Sequence, residues 1–167
     1  VRLALLALAL SAGCTLADDA PPPTETPRAA EYRSESVDAG LDALLRSAQT
    51  RGFSPEDATY RGFVVEGAAS SVEVTLASGS CYALLAAGSE GLREVQLSLF
   101  HGDGTEAAQD EARGRAAALV FCPVHTGVHY AAVRASAGSG LFGLRVARGP
   151  TGLDVAAADL LPAEDPR

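Results

Sequence analysis

Three histidines, three cysteines, a group of acids near position 103 and a pair of serines are the side chains of this sequence whose types could do chemistry. His125 and His129 stand four apart, the interval that sets two metal ligands on one face of a helix. Gly127 between them opposes a helix, so the metalloprotease spacing is not met. His101, His125 and His129 therefore read as exposed residues of turns and strands. Gly102-Asp103-Gly104 with Asp110 and Glu111 offers the hard oxygen ligands that calcium takes, but fits no EF-hand spacing. A solvated hairpin carrying surface carboxylates is the simpler reading. Ser78-Gly79-Ser80-Cys81 could offer a nucleophile, yet a turn between strands accounts for it equally. The sequence holds no Gly-x-Ser-x-Gly elbow, no Cys-x-x-Cys pair and no lysine to follow a phosphate-cradling glycine loop. Gly138-Ser139-Gly140 separates two strand patterns, where a dinucleotide fold requires a helix. No catalytic residue, cofactor or metal is expected.

Composition narrows the class. The chain has 167 residues, 47% of them apolar, enough for one domain with a leader or tail. Its formal charge is −8, from 21 acids and 13 bases, which disfavours nucleic acid and anionic lipid as partners. Lys, Ile, Asn, Met and Trp are absent. The first three are specified by AT-rich codons, so the bias points to a high-GC bacterial genome. All the bases are Arg for that reason, and the fact says nothing about phosphate.

The elements follow from period. Val37, Leu41, Leu44, Leu45 and Ala48 form one apolar stripe, predicting an amphipathic helix over 34–52. Ser36 would be its N-cap, and Arg51-Gly52 would close it. Gly40 in the interior costs ~1 kcal/mol, so the helix needs packing from outside. After Phe53 the period becomes two. Strands are predicted over 60–66, 72–76, 81–87, 94–99, 116–122, 128–134 and 141–146. Glycine-containing turns separate them at near-regular spacing. The run Cys81–Ala87 is mostly apolar, as in a strand covered on both faces. The fold class is mainly β: an antiparallel β-sandwich, jelly-roll-like with about 7–8 strands, spanning 53–161 and preceded by one helix. Residues 153–161 could be a strand or a short helix, and 162–167 a disordered tail.

The first 14 residues carry an address. Arg2 precedes eight Leu and Ala residues from Leu3 to Leu10, a run too short to span a bilayer but suited to a signal peptide. Val1 is taken as a GTG start read literally. Leu10-Ser11-Ala12-Gly13-Cys14 resembles the lipobox of bacterial lipoproteins, although Ser11 stands where the family usually has Leu. The resemblance implies cleavage after residue 13 and lipidation of Cys14, and, with Thr15 next, an outer-membrane destination. Losing Arg2 moves the charge from −8 to −9. Residues 14–33, acidic and proline-rich, would form a disordered tether. With Cys14 so assigned, Cys81 and Cys122 remain. They are expected to join as a disulfide, permitted in an oxidising compartment; the alternative is a pair of reduced, buried apolar residues.

Within the strand series, a second likeness stands out. Gly62-Phe63-Val64-Val65-Glu66-Gly67, the strand Val72–Ala77 running through the Ser78-Gly79 turn to Tyr82, Val95–Phe100 before Asp103-Gly104, then Asp110, Phe121-Cys122-Pro123, Gly127–Tyr130 and Gly138–Leu144 appear in that order. This segment, 62 to about 148, resembles the bacterial pre-peptidase C-terminal domain, a small β-sandwich of secreted proteins. The resemblance implies a sandwich with tyrosines at strand starts, rings half-buried and hydroxyls wet. The Cys pair is not general to that family, and no peptidase domain is expected before the module.

The expected function is a non-enzymatic, lipid-anchored envelope protein. Held on the membrane through Cys14, its sandwich would act as a binding or scaffolding module for a protein or glycan partner. The alternatives are a lipid- or solute-carrying β-barrel, or a small secreted hydrolase using Asp103 and Asp110.

Overall fold

The computed structural model describes residues 27–110 and 113–161. Cys14, the signal-peptide segment 1–13, tether residues 15–26 and the tail 162–167 lie outside the described residues. One helix, α1 (Pro27–Thr50), precedes eight strands. These are β1 (Ser54–Val64), β2 (Ala69–Leu76), β3 (Ser80–Gly88), β4 (Leu92–His101), β5 (Glu106–Gln109), β6 (Ala116–Phe121), β7 (Gly127–Gly138) and β8 (Gly140–Pro150). A 3₁₀ turn, Ala157–Leu160, follows.

The strands form two four-stranded sheets, ordered β1-β8-β3-β6 and β2-β7-β4-β5, with antiparallel pairing throughout. The pairs β1–β8, β2–β7, β3–β6 and β4–β5 are nested, as in a long hairpin rolled up on itself. That is jelly-roll topology. The expected strands all form, and one more, β5, joins them. Its sequence, Glu106-Ala107-Ala108-Gln109, lacks the β-branched and aromatic residues that mark a strand.

Alternation sets two apolar layers. Tyr82, Leu84 and Ala86 of β3 face the opposite sheet, among Val95, Leu97, Leu99, Ala131, Val133 and Phe142. Cys81, Ala83, Leu85 and Ala87 of the same strand face Val37, Leu41, Leu44 and Ala48 of α1. β3 is thus buried along its whole length, as the apolar run predicts. The space between the sheets is a packed core, not the interior of a single closed barrel. The tail returns to the helix side, where Leu160 is fully buried, so 157–160 is helical rather than a strand.

Small residues let α1 come close. A β-carbon on Gly143 would stand 2.5 Å from Leu41 Cδ1 and 2.9 Å from Val37 Cγ1, and one on Gly40 3.0 Å from Ala87 Cβ. The glycine that weakens the helix locally is therefore the one that lets it seat on the sheet. Ion pairs flank the contact: Arg61 Nη2 to Asp38 Oδ1 at 2.7 Å, and Arg145 Nη1 to Asp42 Oδ1 at 2.7 Å. Pairs at a surface contribute little energy, so the close packing and not the charges holds the helix down.

The helix starts earlier than its apolar stripe indicates. It takes in 27–33, assigned above to the tether, so Ser36 is interior and not the N-cap. Pro27 opens it, a first-turn position where the missing N–H costs nothing and φ is already helical. The end is as expected. Gly52 has φ +93°, its N–H donates to Gln49 O at 3.1 Å, and Phe53 N–H donates to Ala48 O at 3.1 Å. These two bonds make a Schellman cap.

Replacing Gly143 by valine is expected to lower unfolding free energy by about 1–3 kcal/mol, through overpacking against Leu41 and Val37. Urea denaturation followed by circular dichroism measures it, and an unchanged midpoint would show that the helix does not rest on this strand.

Candidate functional site

In this topology the β2–β3, β4–β5 and β6–β7 connections gather at one end of the sandwich. The sequence places most of its chemically capable side chains there. Inward positions of β4 run Val95, Leu97, Leu99 and then His101; those of β7 run Ala135, Val133, Ala131 and then His129. His101 and His129 are register partners on adjacent strands, so both rings project from the inner face where the aliphatic core ends. Phe121, last residue of β6, meets them from the opposite sheet. The ring centroids stand 5.3 Å apart for His101–His129, 6.0 Å for His101–Phe121 and 5.5 Å for Phe121–His129.

His129 is only 4% exposed, and its Nδ1 lies 3.1 Å from Gly127 O. A carbonyl oxygen can only accept, so Nδ1 is the donor in this contact, and Nε2 is the ring nitrogen that it leaves over. This corrects the expectation of three separate surface histidines. His129 is buried, and His125 lines the same pocket as His101 and His129. The pocket has a volume of about 320 Å³; Phe121, Pro123, Val124 and Val128 supply its apolar walls. A more open depression of about 380 Å³ lies around Arg148, whose Nε donates to Ser80 Oγ at 2.9 Å.

The loop that walls the histidine pocket is fastened on both sides. Cys122 is joined to Cys81 by a disulfide, with Cα atoms 4.1 Å apart. Ser78 N–H donates to Thr126 Oγ1 at 2.9 Å, and the two hydroxyls lie 3.2 Å apart. Tyr82 is 4% exposed, and its hydroxyl accepts from Ala77 N–H at 3.0 Å, so it is bonded and not wet as expected. Between these anchors Val124 stands 82% exposed. The proposed nucleophile stretch is thereby accounted for: Ser78 and Ser80 bond to Thr126 and Arg148, and Cys81 is oxidised.

The acids do not converge. Asp103 lies at the β4–β5 turn, where Oδ1 accepts from Thr105 Oγ1 at 2.7 Å and from Thr105 N–H at 2.9 Å. The Thr105 hydroxyl, then its amide, hold the Asp103 carboxyl below the usual aspartate range; His101 adds a smaller pull in the same direction. Asp110 stands past the far end of β5 and is 5% exposed, so it is not the surface carboxylate expected. Among the described residues no group of three or more His, Cys, Asp or Glu is arranged to hold a metal ion.

Fold and site together define a disulfide-closed jelly-roll sandwich with a pocket at one loop end. No family model matches the chain, and neither does any curated protein. Solved structures are similar to it over about half its length. The pre-peptidase C-terminal domain of a collagenase from Bacillus anthracis is 21% identical, with a TM-score of 0.45, covering 53% of this chain and 87% of that one. A periplasmic inhibitor of g-type lysozyme from Aeromonas hydrophila is 13% identical, with a TM-score of 0.43, covering 55% and 84%.

Two outcomes test this geometry. Replacing Cys81 and Cys122 together by alanine is expected to lower stability by about 2–4 kcal/mol in a denaturant titration. An NMR titration of the Asp103 carboxyl is expected to give a midpoint below that of an unperturbed aspartate. Because its folded value is depressed, its contribution to the β4–β5 turn is complete above the unfolded value and lost as pH falls through the folded one.

Proposed function

We propose that the chain is a non-enzymatic binding module of the bacterial cell envelope, held on the outer membrane by lipid at Cys14. Its ligand would be a protein or glycan engaged through the β6–β7 loop. The observation that carries this reading is the pairing of extreme exposure at Val124 with fixation of the loop at Cys122 and Thr126. An apolar tip held in one conformation meets a partner without the entropy cost of ordering a free loop. The disulfide supports an oxidising compartment, as the lipobox resemblance implies. No helix among the described residues is long and apolar enough to cross a membrane, so attachment in this reading falls to the lipid.

The packed space between the sheets disfavours a solute carrier, whose cargo needs that volume. A hydrolase using Asp103 and Asp110 is disfavoured by their separation along β5. One carboxyl sits at the turn and the other beyond the strand's opposite end.

A photo-crosslinking side chain at position 124, in the full chain expressed in its native envelope, is expected to capture one discrete adduct. The same group at exposed position 65, on the far side of the sandwich, is expected to give none. Equal, diffuse labelling from both positions would defeat the reading. Metabolic labelling with palmitate is expected to mark the full-length protein and to be lost in Cys14→Ser.

A further inference from the structure

We infer that His101 and His129 form a binding site for a divalent transition-metal ion of the zinc or copper type. The argument starts from register. Two histidines paired across antiparallel strands present their rings on the same face, one strand spacing apart. For two imidazoles on one tetrahedral ion, with metal–nitrogen bonds of about 2.0–2.1 Å, the ring centroids stand about 5 Å apart. The observed separation is 5.3 Å.

The donors are prepared for that role. His129 Nδ1 is committed to Gly127 O, the backbone contact that commonly orients a ligating imidazole and leaves Nε2 to coordinate. Its ring is buried, so its position is already fixed by packing. His101 is exposed, meeting Phe121 edge-on and His129 at a tilt, which leaves its ring able to turn toward an ion.

The surroundings favour a cation and narrow its kind. The pair lines a pocket rather than a sealed core, so an ion can enter, and His125 lines that pocket from the β6–β7 loop. Asp103 contributes a negative charge near His101. Imidazole nitrogen suits zinc, copper and nickel, whereas calcium and magnesium take oxygen. The pair supplies two ligands, and water completes the shell. This inference is independent of the binding-module reading, because the metal alone is the probe and no partner is needed.

The test is calorimetric titration of the untagged, chelator-stripped chain, disulfide intact, with zinc and copper(II) chlorides, against calcium and magnesium. The expected result is saturable binding of one zinc or copper per chain, reversed by EDTA, with no uptake of calcium or magnesium. His101→Ala, at an exposed position, is expected to weaken binding at least about tenfold while the circular-dichroism melt of the metal-free protein is unchanged. On adding zinc to the parent chain, the imidazole NMR signals of His101 and His129 should shift together. Absence of saturable binding, or undiminished affinity in His101→Ala, would overturn the inference and leave the three rings as a packing cluster. Because His129→Gln could disturb folding, the decision rests on the exposed position and on the NMR shifts.

Discussion

The structure depends on close approach between α1 and the outer face of the β1-β8-β3-β6 sheet. A jelly roll needs an apolar interior between its sheets, but this sheet is apolar on both sides. Cys81, Ala83, Leu85 and Ala87 of β3, with Ala118 of β6 and Ala147 of β8, would face water without a cover. Those residues are mostly small, so the cover must come near to gain dispersion contacts. Gly143 and Gly40 allow that approach, and Leu41 and Leu44 of the helix fill the space the alanines leave. The helix is therefore a third layer of the domain.

Much of this was legible in the sequence because burial has a period. The two-residue alternation in Val72–Leu76 and Val95–Leu99 marks strands with one wet face. The unbroken apolar run Cys81–Ala87 marks one with none. The helix stripe from Val37 to Ala48 was equally plain, as was its glycine stop. Its start was not, because 27–33 adds only the small Ala30 to the stripe and Pro27 reads as readily as tether. β5 escaped for a related reason. Glu106–Gln109 is strand because the Asp103–Thr105 turn brings it against β4, not because its own residues prefer extension.

The candidate site was legible only in part. The cysteine pairing followed from assigning Cys14 elsewhere. The histidine cluster did not, since spacing along the chain says nothing about which strands are neighbours. A signal was nonetheless present. His101 continues the inward parity of Val95, Leu97 and Leu99, and His129 that of Ala131, Val133 and Ala135. A polar residue in core parity at a strand's end lies where the interior opens to solvent. Two such residues become a site only once β4 and β7 are known to pair.

Every hydrogen-bonded ladder joins one of the first four strands to one of the last four. None pairs β1 to β4 with one another. A ribosome-bound chain that has produced only its first half therefore holds four sticky segments with no mates. Such edges invite aggregation until the second half arrives. The same bipartite wiring means that a cut in the turn between β4 and β5 leaves every inter-strand ladder running between the two fragments. Each half would then find its strand partners only in the other.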